Sequence, residues 1–327
     1  MSGTEFSLIE KYFAHHAEGH DDVILGVGDD AAVLQVPAGH ELVVTTDTMV
    51  AGVHFPDSAT AEDIGHKLLA VNLSDLAAMG TQPRWASLAL TLPDVDEEWL
   101  DGFCRGFFNL ASKHNVALVG GDTTRGPLTL SITLHGLVTK GHAIRRDGAM
   151  SGDAIYVSGY LGDASLALQQ ILGNLDVTNI IEILPRLHRP IPRVELGQAL
   201  QGIANAAIDI SDGLLADLGH ILKASKVGAR LELESLPLSL SVQSTTANGD
   251  WSLPLAGGDD YELCFTIPPE QENLLLDKLA TLDVSATRIG QIETELGLRC
   301  FDAKGECYAP HGMGYEHFSS VQAGELE

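Results

Sequence analysis

The chain has 327 residues, 34 of them glycine, with 45% hydrophobic content and 45 acidic against 19 basic side chains, giving a formal net charge of −26. That length accommodates two domains with separate cores, and the acidic balance excludes nucleic acid as a bulk partner, because a phosphate backbone requires a basic face. No apolar run reaches the roughly 18 residues of a membrane span, the first residues lack a basic-then-apolar leader pattern, and the four cysteines (Cys104, Cys264, Cys300, Cys307) show no CxxC spacing, so a cytoplasmic protein with reduced thiols is expected.

In chain order, residues 5–17 place Phe6, Ile9 and Phe13 on one helical face. Gly26-Val27-Gly28-Asp29-Asp30-Ala31-Ala32-Val33 follows a short apolar strand. Two adjacent acids there are either a solvated turn or part of a site. Residues 41–47 are β-branched at the start and end, as a strand, on Thr46, Asp47 and Thr48, with His54 seven residues beyond the carboxylate. Residues 60–79 read as a helix, opened by Thr60 and Asp63 and stopped by Gly80. Within it Asn72 and Asp75 share a face in an otherwise apolar run. A carboxylate in that setting requires a cation or a set of donors.

Trp85–Leu92 reads as a strand, and Asp96 caps a helix whose Trp99, Phe103, Phe107 and Leu110 are core at helical spacing. Val116–Val119 is a strand running into Gly120-Gly121-Asp122-Thr123, and Thr129–Val138 is another strand. Residues 139–153 form the expected linker between domains at 1–140 and 150–327. Its Arg145 and Arg146 are either a solvated basic turn or a phosphate contact. The second half continues with strand 154–158, helices at 162–172 and 192–204, and a strand entering Asp209-Ile210-Ser211-Asp212-Gly213-Leu214 ahead of a helix to Ser225. Gly257-Gly258-Asp259-Asp260-Tyr261-Glu262 precedes strand 263–267; helix 269–281 and strands 286–292 and 297–301 follow.

The acids recur beside β runs, glycine turns and helix starts. Carboxylates with a few hydroxyls and no cysteine pair select hard cations, Mg²⁺ or Mn²⁺, and several such ions with few lysines suit a polyphosphate. No P-loop, kinase glycine loop, Rossmann fingerprint, G-x-S-x-G or H-E-x-x-H occurs in the chain. An ATP enzyme of this composition therefore draws its positive charge from metals. The competing reading, an acidic Ca²⁺ module, requires D-x-D-x-D-G loops, and none is present.

Six segments in register carry a resemblance: Gly26–Ala32, Thr45–Thr48 with Gly52–Phe55, Val71–Gly80, Gly120–Thr123, Asp209–Leu214 and Gly257–Glu262. Across nearly the whole chain they resemble thiamine-monophosphate kinase, in the superfamily of aminoimidazole ribonucleotide synthetase and selenophosphate synthetase. Another kinase or ligase of that superfamily is the alternative. The resemblance implies ATP-dependent, Mg²⁺-assisted phosphorylation of thiamine phosphate to thiamine diphosphate. It implies an α/β (α+β) fold of the aminoimidazole ribonucleotide synthetase-like type, in which the N-terminal domain joins a second copy in a homodimeric, barrel-like sheet. An α+β C-terminal domain follows, with the active site in the cleft between the two.

Carried over position by position, the resemblance puts metal ligands at Asp30, Thr45, Thr46, Asp47, Asp75, Asp122, Asp209 and Asp212. Nucleotide contacts fall at Gly121, Asp122, Arg146 and Ser211, and thiamine phosphate contacts at His54, Asp259 and Tyr315. Two positions depart from the pattern. Asp259 stands where the family has Glu, and Ser151 where the linker has Pro. The acceptor is already an oxyanion, so direct in-line transfer depends on positioning and charge neutralisation, with no strong base. His54 is read as a substrate contact and not as a phosphoryl carrier.

Overall fold

The structure, a computed structural model, describes residues 5–14, 16, 17, 19–177, 180–310 and 312–315. Its elements are α1 (Glu5–Tyr12), β1 (Val23–Leu25), β2 (Val33–Leu34), β3 (His40–Val50), α2 (Ala61–Ala78), β4 (Gln82–Leu92), α3 (Glu97–Lys113), β5 (Ala117–Arg125) and β6 (Thr129–Thr139). There follow β7 (Ala154–Ser158), α4 (Asp163–Ile171), α5 (Ile180–His188), α6 (Val194–Ala199), β8 (Ala206–Asp209), α7 (Leu214–Ser225), β9 (Gly228–Glu232), α8 (Leu240–Thr246) and α9 (Ser252–Ala256). The chain ends with β10 (Leu263–Ile267), α10 (Glu272–Leu279), β11 (Ala286–Glu293), β12 (Gly297–Phe301) and β13 (Cys307–Tyr308). Two compact units result: residues 1–144 with 188–202, and residues 145–187 with 203–327.

In the first unit a four-stranded sheet runs β3-β6-β4-β5. Only the β4–β5 pairing is parallel. Helix α2 starts where Thr60 accepts the Asp63 amide, and α3 starts where Asp96 accepts those of Glu98 and Trp99, as their cap residues direct. The core is built from Leu68, Leu69, Leu73 and Leu76 of α2, Phe103 and Phe107 of α3, and Leu90, Leu130 and Ile132 of the sheet, all fully buried. Two glycines set how closely the helices approach. A Cβ on Gly65 would lie 2.1 Å from the Phe103 carbonyl oxygen, and one on Gly106 would lie 1.9 Å from that of Glu62. Segment 188–202 packs in the same unit: Arg189 pairs with Asp63 and Glu62, and His66 Nε2 meets the Pro190 carbonyl at 3.0 Å.

Two strands run further than composition implies. The sequence ends the opening strand near Asp47 and the next motif strand at Val119; β3 continues to Val50, and β5 carries Gly120–Arg125 in its ladder. Cross-strand pairing is the reason. Thr46 and Thr48 bond the hydroxyls of Thr133 and Ser131 on β6 at 2.9 and 2.7 Å, and these cross-strand pairs carry the ladder past Asp47, a residue of weak β propensity. The first helix is correspondingly shorter than 5–17, and the helix expected over 192–204 is confined to 194–199.

The second unit holds a seven-stranded mixed sheet, ordered β13-β12-β9-β11-β7-β10-β8. Its strands β7 and β10 and the edge strand β8 are buried along their whole length and read as near-continuous apolar runs. Among the described residues no helix is long and apolar enough to cross a membrane, and the four cysteines are free.

Candidate functional site

Alternation along β3 divides its polar residues. Thr45 and Asp47 are half-buried on one face, while Thr46 and Thr48 are exposed on the other, bonded to β6 hydroxyls. On the buried face, Thr45 Oγ1 donates to Asp75 Oδ2 of α2 at 2.5 Å. Asp47 also hydrogen-bonds Asp75, and its carboxyl is pushed up to about 6, first by burial and then by the neighbouring carboxylate. Two carboxylates so placed share a proton below about pH 6, and above it their mutual repulsion favours a cation between them. The donors are all oxygen, which fits Mg²⁺ and excludes a soft thiolate site. Among the described residues no three His, Cys, Asp or Glu side chains form one ready coordination sphere.

His54 lies just past β3. The Val50 amide donates to its Nδ1 at 3.1 Å. That nitrogen therefore carries no proton, and a neutral ring bears its hydrogen on Nε2 as a donor. The His54 carbonyl accepts from Lys67 Nζ at 3.4 Å; Lys67 is a buried lysine of α2 that the motif reading did not single out.

Asp30, Gly121 and Asp122 meet elsewhere in the same unit. They line a pocket of about 680 Å³ whose walls include the Gly26–Ala32 loop, Ser87, Leu88, Leu90 and His135. Gly121 is required by close approach, since a Cβ there would sit 1.8 Å from the Leu88 carbonyl oxygen. Asp122, Ala89, Ser131 and Thr48 lie in register across the sheet, so Asp122 shares the face of Thr46 and Thr48 and not that of Asp47.

The remaining residues fall in the second unit. Asp209, nearly fully buried, is the last residue of β8. The loop after it is tied on both sides of its backbone. Asp217 Oδ2 accepts the amides of Ser211, Asp212 and Gly213 at 3.0, 3.0 and 3.1 Å. In turn the carbonyls of Ile210, Ser211 and Asp212 accept the amides of Tyr261, Asp259 and Tyr315 at 2.8, 2.8 and 3.0 Å. Gly258 permits the contact, as its Cβ would lie 2.4 Å from the Ser211 oxygen. Asp259 adopts φ 69°, and its Oδ1 accepts the Tyr261 hydroxyl at 3.2 Å.

Of the two linker arginines, Arg145 is paired with Asp147, whereas exposed Arg146 makes no ion pair among the described residues. Ser151, in place of proline, bonds Thr294 Oγ1 at 3.0 Å. Sequence reasoning missed Asp217. Its signal is an acid in the first turn of α7, a helix whose cap residue, Gly213, has no side chain to offer.

The two halves of the chain match the family models for the AIR synthase related protein N-terminal domain over residues 28–138 and C-terminal domain over residues 151–302. The chain is 46% identical over 325 residues to thiamine-monophosphate kinase of Escherichia coli K12, covering 98% of this chain and 100% of that one. Thiamine-monophosphate kinase from Stenotrophomonas maltophilia K279a superposes with a TM-score of 0.85 at 49% identity, covering 94% of this chain and 99% of that one. AaThiL complexed with AMPPCP and TMP superposes with a TM-score of 0.74 at 32% identity, covering 89% and 92%.

Proposed function

The chain belongs to the AIR synthase related family and, within it, to the thiamine-monophosphate kinases, and from that membership we propose how its residues divide the work. It is a kinase that phosphorylates thiamine phosphate with ATP, giving thiamine diphosphate and ADP in thiamine biosynthesis. Transfer is direct and in line. The complex of a relative with both AMPPCP, an ATP analogue, and TMP supports donor and acceptor meeting on one enzyme.

Asp30, Thr45, Thr46, Asp47, Asp75, Asp122, Asp209 and Asp212 are proposed to hold Mg²⁺, and the observation that carries this is the Asp47–Asp75 carboxylate pair with Thr45 bonded to it. Bound there, Mg²⁺ neutralises the phosphates and orients them. Thr46 differs from its neighbours, because its hydroxyl is taken by Thr133 on the opposite face of β3. Gly121 lets the β5 backbone approach the nucleotide, and Arg146 and Ser211 contact its phosphates, Arg146 with a guanidinium that no described carboxylate engages. His54 offers Nε2–H to the acceptor phosphate, and Asp259 and Tyr315 hold the rest of thiamine phosphate. With its Nδ1 occupied by the Val50 amide, His54 is placed to donate a hydrogen bond.

Homodimerisation is supported by β3, an edge strand with exposed Leu42 and Val44. Four free cysteines support a cytoplasmic location. The test is Mg²⁺-dependent ADP release: thiamine phosphate should elicit it and formylglycinamidine ribonucleotide should not. Absence of ADP release with thiamine phosphate overturns the reading, and a trapped ³²P-labelled enzyme after ATP alone overturns direct transfer.

A further inference from the structure

Asp217 is almost fully buried, at 3% exposure, and one of its oxygens collects three consecutive backbone amides. Three converging N–H groups at a helix start form a nest of the kind that elsewhere holds a phosphate oxygen. Here the chain's own carboxylate fills it, from the first turn of α7. The Ser211–Gly213 amides are thus committed inward, and the loop meets ligand through side chains only. The same three-residue stretch faces the other way with its carbonyls. Ile210, Ser211 and Asp212 accept from Tyr261, Asp259 and Tyr315, so the backbone that carries the nucleotide and metal side chains also sets the position of Asp259 and Tyr315, two of the three residues proposed to hold thiamine phosphate. Gly314 packs against it too, with a would-be Cβ 2.8 Å from the Asp212 oxygen.

We infer that Asp217 is a positioning residue that registers the nucleotide loop against the acceptor residues Asp259 and Tyr315. This rests on the kinase reading above. The geometry leaves no substitute donor or acceptor arrangement: Gly213 sits at φ 121° with the Ala256 backbone 2.9 Å from a would-be Cβ, so the cap has to come from elsewhere in the helix. An amide at position 217 keeps one oxygen for the three backbone amides but loses the charge that strengthens those bonds, and it puts an NH₂ group in the place of the other carboxylate oxygen.

The experiment compares Asp217→Asn with Asp163→Asn in the full chain. Asp163 is the control: it is likewise buried, opens α4 after another uncapped glycine, and accepts from Ser239 Oγ at 2.5 Å, with no hydrogen bond to residues 210–213 among the described residues. Only Asp217→Asn should raise the KM for ATP and for thiamine phosphate together, by about 10-fold each, and speed amide hydrogen exchange at residues 211–213. Asp217→Glu, which keeps the charge, should restore part of both KM values, and it carries the test if the asparagine variant does not fold. A folded Asp217 variant with both KM values within about twofold of wild type overturns the inference, as does an equal KM rise in Asp163→Asn. Should wild type release no ADP with thiamine phosphate, the kinase reading fails separately. AMPPCP binding by calorimetry and the amide exchange rates then decide the positioning role, with unchanged values in Asp217→Asn refuting it.

Discussion

Asp47→Asn should stabilise the metal-free protein while disabling it. The Asp47 carboxyl is buried against Asp75 and pushed up to about 6 from its ordinary 3.8. That gap corresponds to about 3 kcal/mol between the protonated and charged forms. Because the folded value lies above the unfolded one, this group's stabilisation is complete below about pH 4 and is lost as pH rises through about 6. At about pH 7.5 without metal, wild type therefore bears nearly the whole cost. Asparagine removes the charge and can donate to Asp75, so the variant recovers up to about 3 kcal/mol, or roughly 6–12 °C in Tm for a unit of this size. Calorimetry in EDTA measures it, with a second scan near pH 4, where the gain should vanish. Activity should move oppositely, with kcat falling about 100-fold or more as the proposed Mg²⁺ site loses a ligand. A Tm in EDTA equal to or below wild type near neutral pH refutes the carboxylate-pair argument, as does a gain that persists undiminished at low pH.

His54→Ala should raise the KM for thiamine phosphate about 10-fold or more and leave that for ATP unchanged, since it removes one donor to the acceptor alone; steady-state kinetics with each substrate varied separates the two. Gly106→Ala should destabilise the first unit although alanine is the better helix former. The gain of about 1 kcal/mol in propensity is set against overpacking of about 3 kcal/mol or more, because the new Cβ meets the Glu62 carbonyl at 1.9 Å; the urea midpoint reports the difference. Burial lowers the His114 and His66 imidazoles, with Glu195 opposing and Lys113 reinforcing the effect at His114. A depressed folded value means stability is complete above the unfolded value near 6.5 and is lost as pH falls below it. His114→Gln should accordingly narrow the Tm difference between about pH 7.5 and about pH 5.5.

The proximity of Asp75 to the β3 motif was foreshadowed by the sequence. Asp75 stands out in the sequence because nearly everything around it and Asn72 is apolar, and the structure brings it to Thr45 and Asp47 from α2. Strand ends were not legible. Aspartate and glycine read as terminators by propensity, yet in β3 and β5 the ladder continues through them, since hydroxyl pairs to β6 and a glycine that admits the Leu88 carbonyl make continuation favourable. The difference bears on where Thr46 points. Treated as a strand end, Thr45-Thr46-Asp47 looks like one ligand group; treated as a continuing strand, its alternation sends Thr46 to the opposite face. Asp217 was illegible for a different reason. An acid in the first turn of a helix is ordinary, and only the left-handed Gly213 and the three amides that turn inward give it a role.

The two departures from the family pattern are intelligible in the same terms. Residue 259 sits at φ 69°, a left-handed conformation in which a short carboxylate that bonds locally is favoured over a longer side chain. Asp259 does bond locally, taking the hydroxyl of Tyr261, itself at φ 49°. Replacing glutamate shortens the side chain by one methylene, and with it the reach proposed toward thiamine phosphate, and at the same time suits the strained turn that carries it. At position 151 the loss of proline removes a fixed φ. Order is supplied instead by contacts: the Ser151 hydroxyl to Thr294, the Gly152 amide to the Ile292 carbonyl, and the Met150 amide to Asp153. Asp153 is in turn held by both its oxygens on Asn205. The segment following Arg146 is therefore anchored by enthalpy where a proline would have anchored it by restricting the unfolded chain, and the guanidinium keeps a defined base in either case.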